Sequence, residues 1–155
     1  MNMSADQSAA CSKSGMLFPE GLIGFSGCKQ YVIDEDKSKE PFFFLQSVEN
    51  EKVGFIIINP KEFKSEYSVC LTDADKQALN VSSVDECDIF SIVFVPETSE
   101  SMSVNLLAPL VVNKKSSIGR QVVLQDADYS VRHLILEEMF EGVKDKDVSS
   151  FAQTR

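Results

Sequence analysis

The chain has 155 residues, 43% of them apolar, with 24 acidic against 15 basic residues and a formal net charge of −9. That length supports one domain with one sizeable core. The negative charge repels a phosphate backbone, so the composition argues against direct RNA or DNA binding and favours a basic protein partner or plain solubility.

The first 15 residues, MNMSADQSAACSKSG, carry no apolar h-region. They read as a disordered tail and not as a signal peptide. No later run reaches the roughly 18 apolar residues of a membrane span. Met16–Phe18 is a short strand candidate, and Pro19, Gly21 and Gly24 set a turn after it. Gln30–Ile33 is the next apolar stretch, and a charged loop, Asp34–Glu40, ends at Pro41. Phe42–Ser47 and Val53–Ile58, joined by the polar turn Val48–Lys52, predict a β-hairpin. The three consecutive phenylalanines read as core, because aromatics supply large buried area. Thr72 is placed to cap a short helix over Asp73–Asn80, with Asp73 and Asp75 in the first turn where carboxylates suit the helix dipole. Asp88–Val95 is a strong strand closed by Pro96.

The stretch Met102–Leu124 predicts a central hairpin. One apolar run, Val104–Val112, and a second, Val122–Leu124, flank the turn Asn113–Ser117. Their near-continuous apolar character predicts burial on both faces. Asn105, Pro109, Asn113 and Gln121 interrupt the pattern. A central strand tolerates Pro poorly, so Pro109 predicts a bulge or a break into two short strands. No acidic residue occurs from Ser101 to Gln125, while Lys114, Lys115 and Arg120 are basic. Acids gather instead at Asp34–Glu40, Asp73–Asp88 and Glu137–Asp147. After the turn at Gln125–Tyr129, the segment beginning at Val131 carries Leu136, Met139, Phe140 and Val143 at helical spacing. Glu137, Glu138 and Glu141 take the opposite face, which predicts an amphipathic acidic helix.

Together these elements predict a mostly β fold: a small antiparallel β barrel or sandwich-like single domain with one or two short helices. The expected division is a tail over 1–15, a β domain over 16–133 and an acidic C-terminal helix and tail over 134–155.

Catalytic signals are weak. The lone His133 has no spaced partner and reads as structural, and no G-x-S-x-G, H-E-x-x-H or P-loop is present. Cys11, Cys28, Cys70 and Cys87 form no C-x-x-C pair, so they read as reduced thiols and not as zinc ligands. Asp126 and Asp128 lack the Gly and distant Glu of a calcium loop. No cofactor or metal is expected.

Several motifs then agree in order. FPEGLIGF at Phe18–Phe25, PFFFLQS at Pro41–Ser47, GFIIINP at Gly54–Pro60, NLLAPLVVN at Asn105–Asn113 and GRQVVL at Gly119–Leu124 resemble the bacterial flagellar assembly factor FliW family. The likeness runs from about Met16 to His133. It leaves out the Met1–Gly15 extension, the Leu134–Arg155 segment and the cysteines. The resemblance implies a compact β-barrel-like, non-enzymatic cytoplasmic protein with two partners. These are newly made flagellin and the RNA-binding repressor CsrA, which the family antagonises away from its RNA-binding surface. Scarce flagellin leaves the factor free to sequester CsrA, and abundant flagellin takes the factor and frees CsrA to repress. An acidic surface suits a basic repressor. Glu137, Glu138, Glu141 and Asn105 are the candidate partner-binding residues. The other class left open is a small-molecule-binding β barrel, or an enzyme whose site is not visible in sequence.

Overall fold

Five segments fold as a meander of antiparallel strands in chain order: β1 (Lys13–Leu17), β2 (Gln30–Asp34), β3 (Phe42–Ser47), β4 (Gly54–Ile58) and β5 (Cys87–Phe94). The helix α1 (Asp73–Leu79) sits between β4 and β5 in the chain. Four shorter strands come after β5: β6 (Ser103–Val104), β7 (Leu110–Asn113), β8 (Gly119–Gln121) and β9 (His133–Leu134). The computed structural model describes residues 13–34, 36–97, 102–125 and 129–134. Its sheet is mostly antiparallel, ordered β1-β2-β3-β4-β5-β6-β9, and β7 with β8 branches from β5. The far ends of the path through β7 and β8 touch at one parallel bridge, Leu17 with Ile118, where the Leu17 N–H donates to the Ser117 carbonyl at 3.0 Å. The sheet is therefore curled and barrel-like without a continuous closing ladder.

The continuous apolar runs have a simple cause, which is that both faces of the sheet are covered. Successive side chains on a strand point to opposite faces. Ile56 and Ile58 enter one cluster with Tyr67, Leu79, Val104 and Val111, whereas Ile57 enters a second with Phe18, Tyr31, Leu45 and Leu110. The triple phenylalanine divides the same way. Phe42 is buried in the first cluster, and Phe43 packs against the second, edge-to-face with Phe90 at 5.8 Å. Gly119 is required where the two motif regions meet, since a Cβ there would fall 2.6 Å from the buried Phe18 ring.

Several expectations shift. The first strand starts at Lys13, so residues 13–15, assigned to the tail, pair with β2. The Val104–Val112 run is a single strand position broken in two. Val93 and Phe94 pair with β6, Cys87–Phe90 pair with β7, and the five residues Asn105–Pro109 bulge out opposite Ser91 and Ile92. Pro109 marks that break. The second hairpin strand is Gly119–Gln121 and not Val122–Leu124, because Val122 and Leu124 donate instead to the bulge carbonyls of Pro109 and Leu107, both at 2.9 Å. His133, placed at the start of a final helical segment, pairs in β9 with Val104. The expected helix over 136–143 and the Asp126–Asp128 turn lie outside the described residues.

Candidate partner-binding surfaces

Asn105 stands at the first position of the bulge and is half-buried. Its Oδ1 accepts from the Leu107 N–H at 3.1 Å and the Ala108 N–H at 3.0 Å, a local side-chain turn of the kind Asn favours. The rest of the bulge is paired as fully. The Tyr67 hydroxyl donates to the Leu106 carbonyl at 2.6 Å, and Gln121 Nε2 donates to the Ala108 carbonyl at 3.0 Å. Two of the residues that interrupt the apolar pattern, Asn105 and Gln121, thus hold an irregular backbone whose polar groups would otherwise be buried unpaired. The acceptor end of Asn105 is committed to the loop, and its NH2 end is the part left to offer a partner. Glu137, Glu138 and Glu141 lie outside the described residues, so the structure neither joins them to Asn105 nor separates them.

The basic patch read from the central stretch divides in the folded chain. Arg120 on β8 forms ion pairs with Asp75 and Glu20, each at 3.6 Å, and donates to the Ala74 carbonyl at 3.3 Å. It clamps β8 to the start of α1 and to the Phe18–Phe25 loop. Asp75 is buried and completes a capping box, accepting from the Thr72 N–H at 3.0 Å while its own N–H donates to Thr72 Oγ1 at 3.1 Å. Lys114 reaches the Asp85 carbonyl at 3.3 Å, and Lys115 is exposed in the turn. Of the acids in the Asp73–Asp88 stretch, Asp73, Asp85, Glu86 and Asp88 are exposed and Asp75 is buried.

Large apolar side chains also reach solvent: Ile23 and Phe25 in the loop after β1, Val48, Val123, and Phe94 and Leu134 at the far end of the sheet. Phe25 rests edge-to-face on Phe55 at 5.2 Å. A groove of about 420 Å3 runs beside β1 and the β7–β8 turn, lined by Leu17, Tyr31, Val48 and Ile118 among others. It opens to solvent, and none of its lining residues is acidic. None of the exposed apolar residues could be picked out from sequence. Phe94 closes an apolar strand whose other residues are mostly buried, and only the curl of the sheet decides which end stays bare.

Tyr31, Tyr67 and Cys87 are buried, whereas Cys70 is exposed. Burial pushes the Tyr31 phenol up to about 12, with Cys28 and Glu49 adding to the effect. Burial likewise raises the Tyr67 phenol, and it raises the Cys87 thiol, assisted by Glu86 and Asp88. All three stay protonated at neutral pH. His133 stacks on Phe63 with ring centroids 5.8 Å apart, which suits the structural role read from sequence. Cys28, Cys70 and Cys87 are free thiols. Among the described residues no cluster of three or more His, Cys, Asp or Glu is placed to hold a metal, and no helix is long and apolar enough to cross a membrane.

The FliW protein family matches residues 3–135. The flagellar assembly factor FliW of Clostridium botulinum is 33% identical over 126 residues, covering 81% of this chain and 89% of its own. The chain belongs to the FliW family. The FliW of Desulfitobacterium hafniense is 40% identical over 121 residues, covering 78% of this chain and 80% of its own. A crystal structure of a flagellar assembly factor FliW matches with a TM-score of 0.73 at 26% identity, covering 87% of this chain and 89% of that one. The mostly antiparallel fold, with one short α-helix among the described residues, is thus a FliW fold, and its relatives are named for flagellar assembly.

Proposed function

We propose that this chain is a non-enzymatic cytoplasmic flagellar assembly factor that binds newly made flagellin and a CsrA-type repressor and relieves repression by exchanging the two. The observation that carries the reading is the family match over residues 3–135, which spans the whole described sheet. Two features of the chain support it. The exposed apolar residues and the open groove suit protein partners, and a net charge of −9 suits a basic repressor and disfavours RNA itself. In this reading Glu137, Glu138 and Glu141 meet the repressor as a charged rim, and the Asn105 amide contributes one polar contact beside the bulge.

The test is a titration of the purified chain with flagellin and with CsrA from the same cell. We expect a complex with each, and release of CsrA as flagellin is added to the CsrA complex. Failure of both partners to bind overturns the reading. Stable binding of both without any release retains the partners and rejects the exchange.

A further inference from the structure

The ladder registers set Phe94 on β5, Ser103 on β6 and Leu134 on β9 in one row across three strands. Residues opposed in an antiparallel ladder share a face. The next row, Val93, Val104 and His133, faces the opposite way, and there Val93 and Val104 enter the core. Phe94 is 47% exposed and Leu134 is 61% exposed, whereas Ser103 between them is buried and its Oγ has no hydrogen-bond partner among the described residues. Arg132, two residues before Leu134 and on the same face, places its guanidinium 4.9 Å from the Phe94 ring centroid. The outer side of the last three strands is thus an apolar strip with a cation on it and an unanswered hydroxyl at its centre.

The described residues end on that strip, at Leu134. The sequence continues with the apolar stripe Leu136, Met139, Phe140 and Val143, and with Glu137, Glu138 and Glu141 opposite it. We propose that residues 136–143 turn back at the edge of β9 and lie as a short helix across β9, β6 and β5, seating Met139, Phe140 and Val143 on Phe94 and Leu134. The dimensions agree. Seven rises of 1.5 Å carry the stripe about 10 Å, and two strand spacings separate β9 from β5 by about 10 Å. A helix this short, with Gly142 inside it, does not hold in water by itself, so its order depends on the surface it covers. Connectivity selects the occupant: a segment tethered next to the strip faces it at roughly millimolar effective concentration, which a separate partner must overcome. The docking concerns the isolated chain and stands or falls independently of which partners bind. It leaves the three glutamates pointing outward.

Two measurements on the full chain test it. With p-benzoylphenylalanine at position 94, irradiation of a dilute solution is expected to link that position to Met139–Val143 within one molecule, read by peptide mass spectrometry of the monomer band. Links to a second copy, or none into 136–143, overturn the proposal. In the second, Met139→Glu with Phe140→Glu leaves the barrel residues untouched and uncovers the strip. Binding of an environment-sensitive apolar dye is expected to rise several-fold with the far-ultraviolet signal of the sheet unchanged. Equal dye binding by parent and variant overturns it.

Discussion

Glu49 shows how far single-residue roles depend on the fold. Its Oε1 accepts from the Gln30 N–H at 3.1 Å and the Lys29 N–H at 2.7 Å, tying the β3–β4 turn to the start of β2. Those two bonds, the Gln30 one first, hold its carboxyl below the ordinary glutamate range. A folded value below the unfolded one means the stabilisation is present above the unfolded pKa of about 4.3 and is lost as pH falls through the folded value. Glu49→Ala is therefore expected to lower the melting temperature at pH 7, with the gap to the parent closing as the pH drops through the acid range below about 4.3. Thermal melts across that range check it, and a gap of constant size would show that the carboxylate charge is not the cause. In sequence Glu49 is only one residue of a polar turn. Its partners lie 19 and 20 positions away, and nothing local points to them. Asn105 and Gln121 are visible as interruptions of an apolar run, but their work on the bulge depends on carbonyls and amides that only the folded chain brings near. Arg120 likewise reads as part of a basic patch, and its ion pairs turn it into a clamp.

At the scale of elements, the legible parts are those with local causes. The capping box of α1 needs only Thr72 and Asp75, three residues apart, and the β3–β4 hairpin needs two apolar runs and a polar turn. The bulge is legible only through Pro109, since an unbroken apolar run does not show where a ladder stops. β9 carries no signal, because two residues have no period and their partner is β6, some 30 positions earlier. Asn113 couples two elements in a way that can be measured. Its Nδ2 donates to the Leu79 carbonyl at 2.8 Å, at the end of α1, while its Oδ1 accepts from the Lys115 N–H at 2.8 Å in the β7–β8 turn. Removing one partner of a buried hydrogen bond costs about 1–3 kcal/mol. Asn113→Ala should lose that much in urea unfolding, and Asn113→Asp, which sets a carboxylate oxygen against the Leu79 carbonyl where the donor stood, should lose at least as much at neutral pH. An alanine variant as stable as the parent would show that neither bond contributes.

For the molecule as a whole, charge is the property that sequence states and topology distributes. The acid-free stretch 101–125 supplies β6, β7 and β8, and its Arg120 is already paired, while Asp73, Asp85, Glu86 and Asp88 are exposed to an approaching partner. Charges at the rim of an interface act mainly on the association rate and weaken with salt, because screening sets in beyond about 10 Å at 0.1 M ionic strength. Replacing Glu137, Glu138 and Glu141 together by Gln changes the formal charge from −9 to −6 and keeps side-chain size and helix propensity. If these residues steer a basic CsrA-type repressor, its association should slow several-fold at low ionic strength. The difference should shrink towards none at high salt, and flagellin binding should change less, since apolar contact is not screened. Stopped-flow association at two or more salt concentrations reads all three. Equal repressor rates for parent and variant at low salt would assign the glutamates to solvation alone and leave the Asp73–Asp88 surface as the acidic face that a repressor meets.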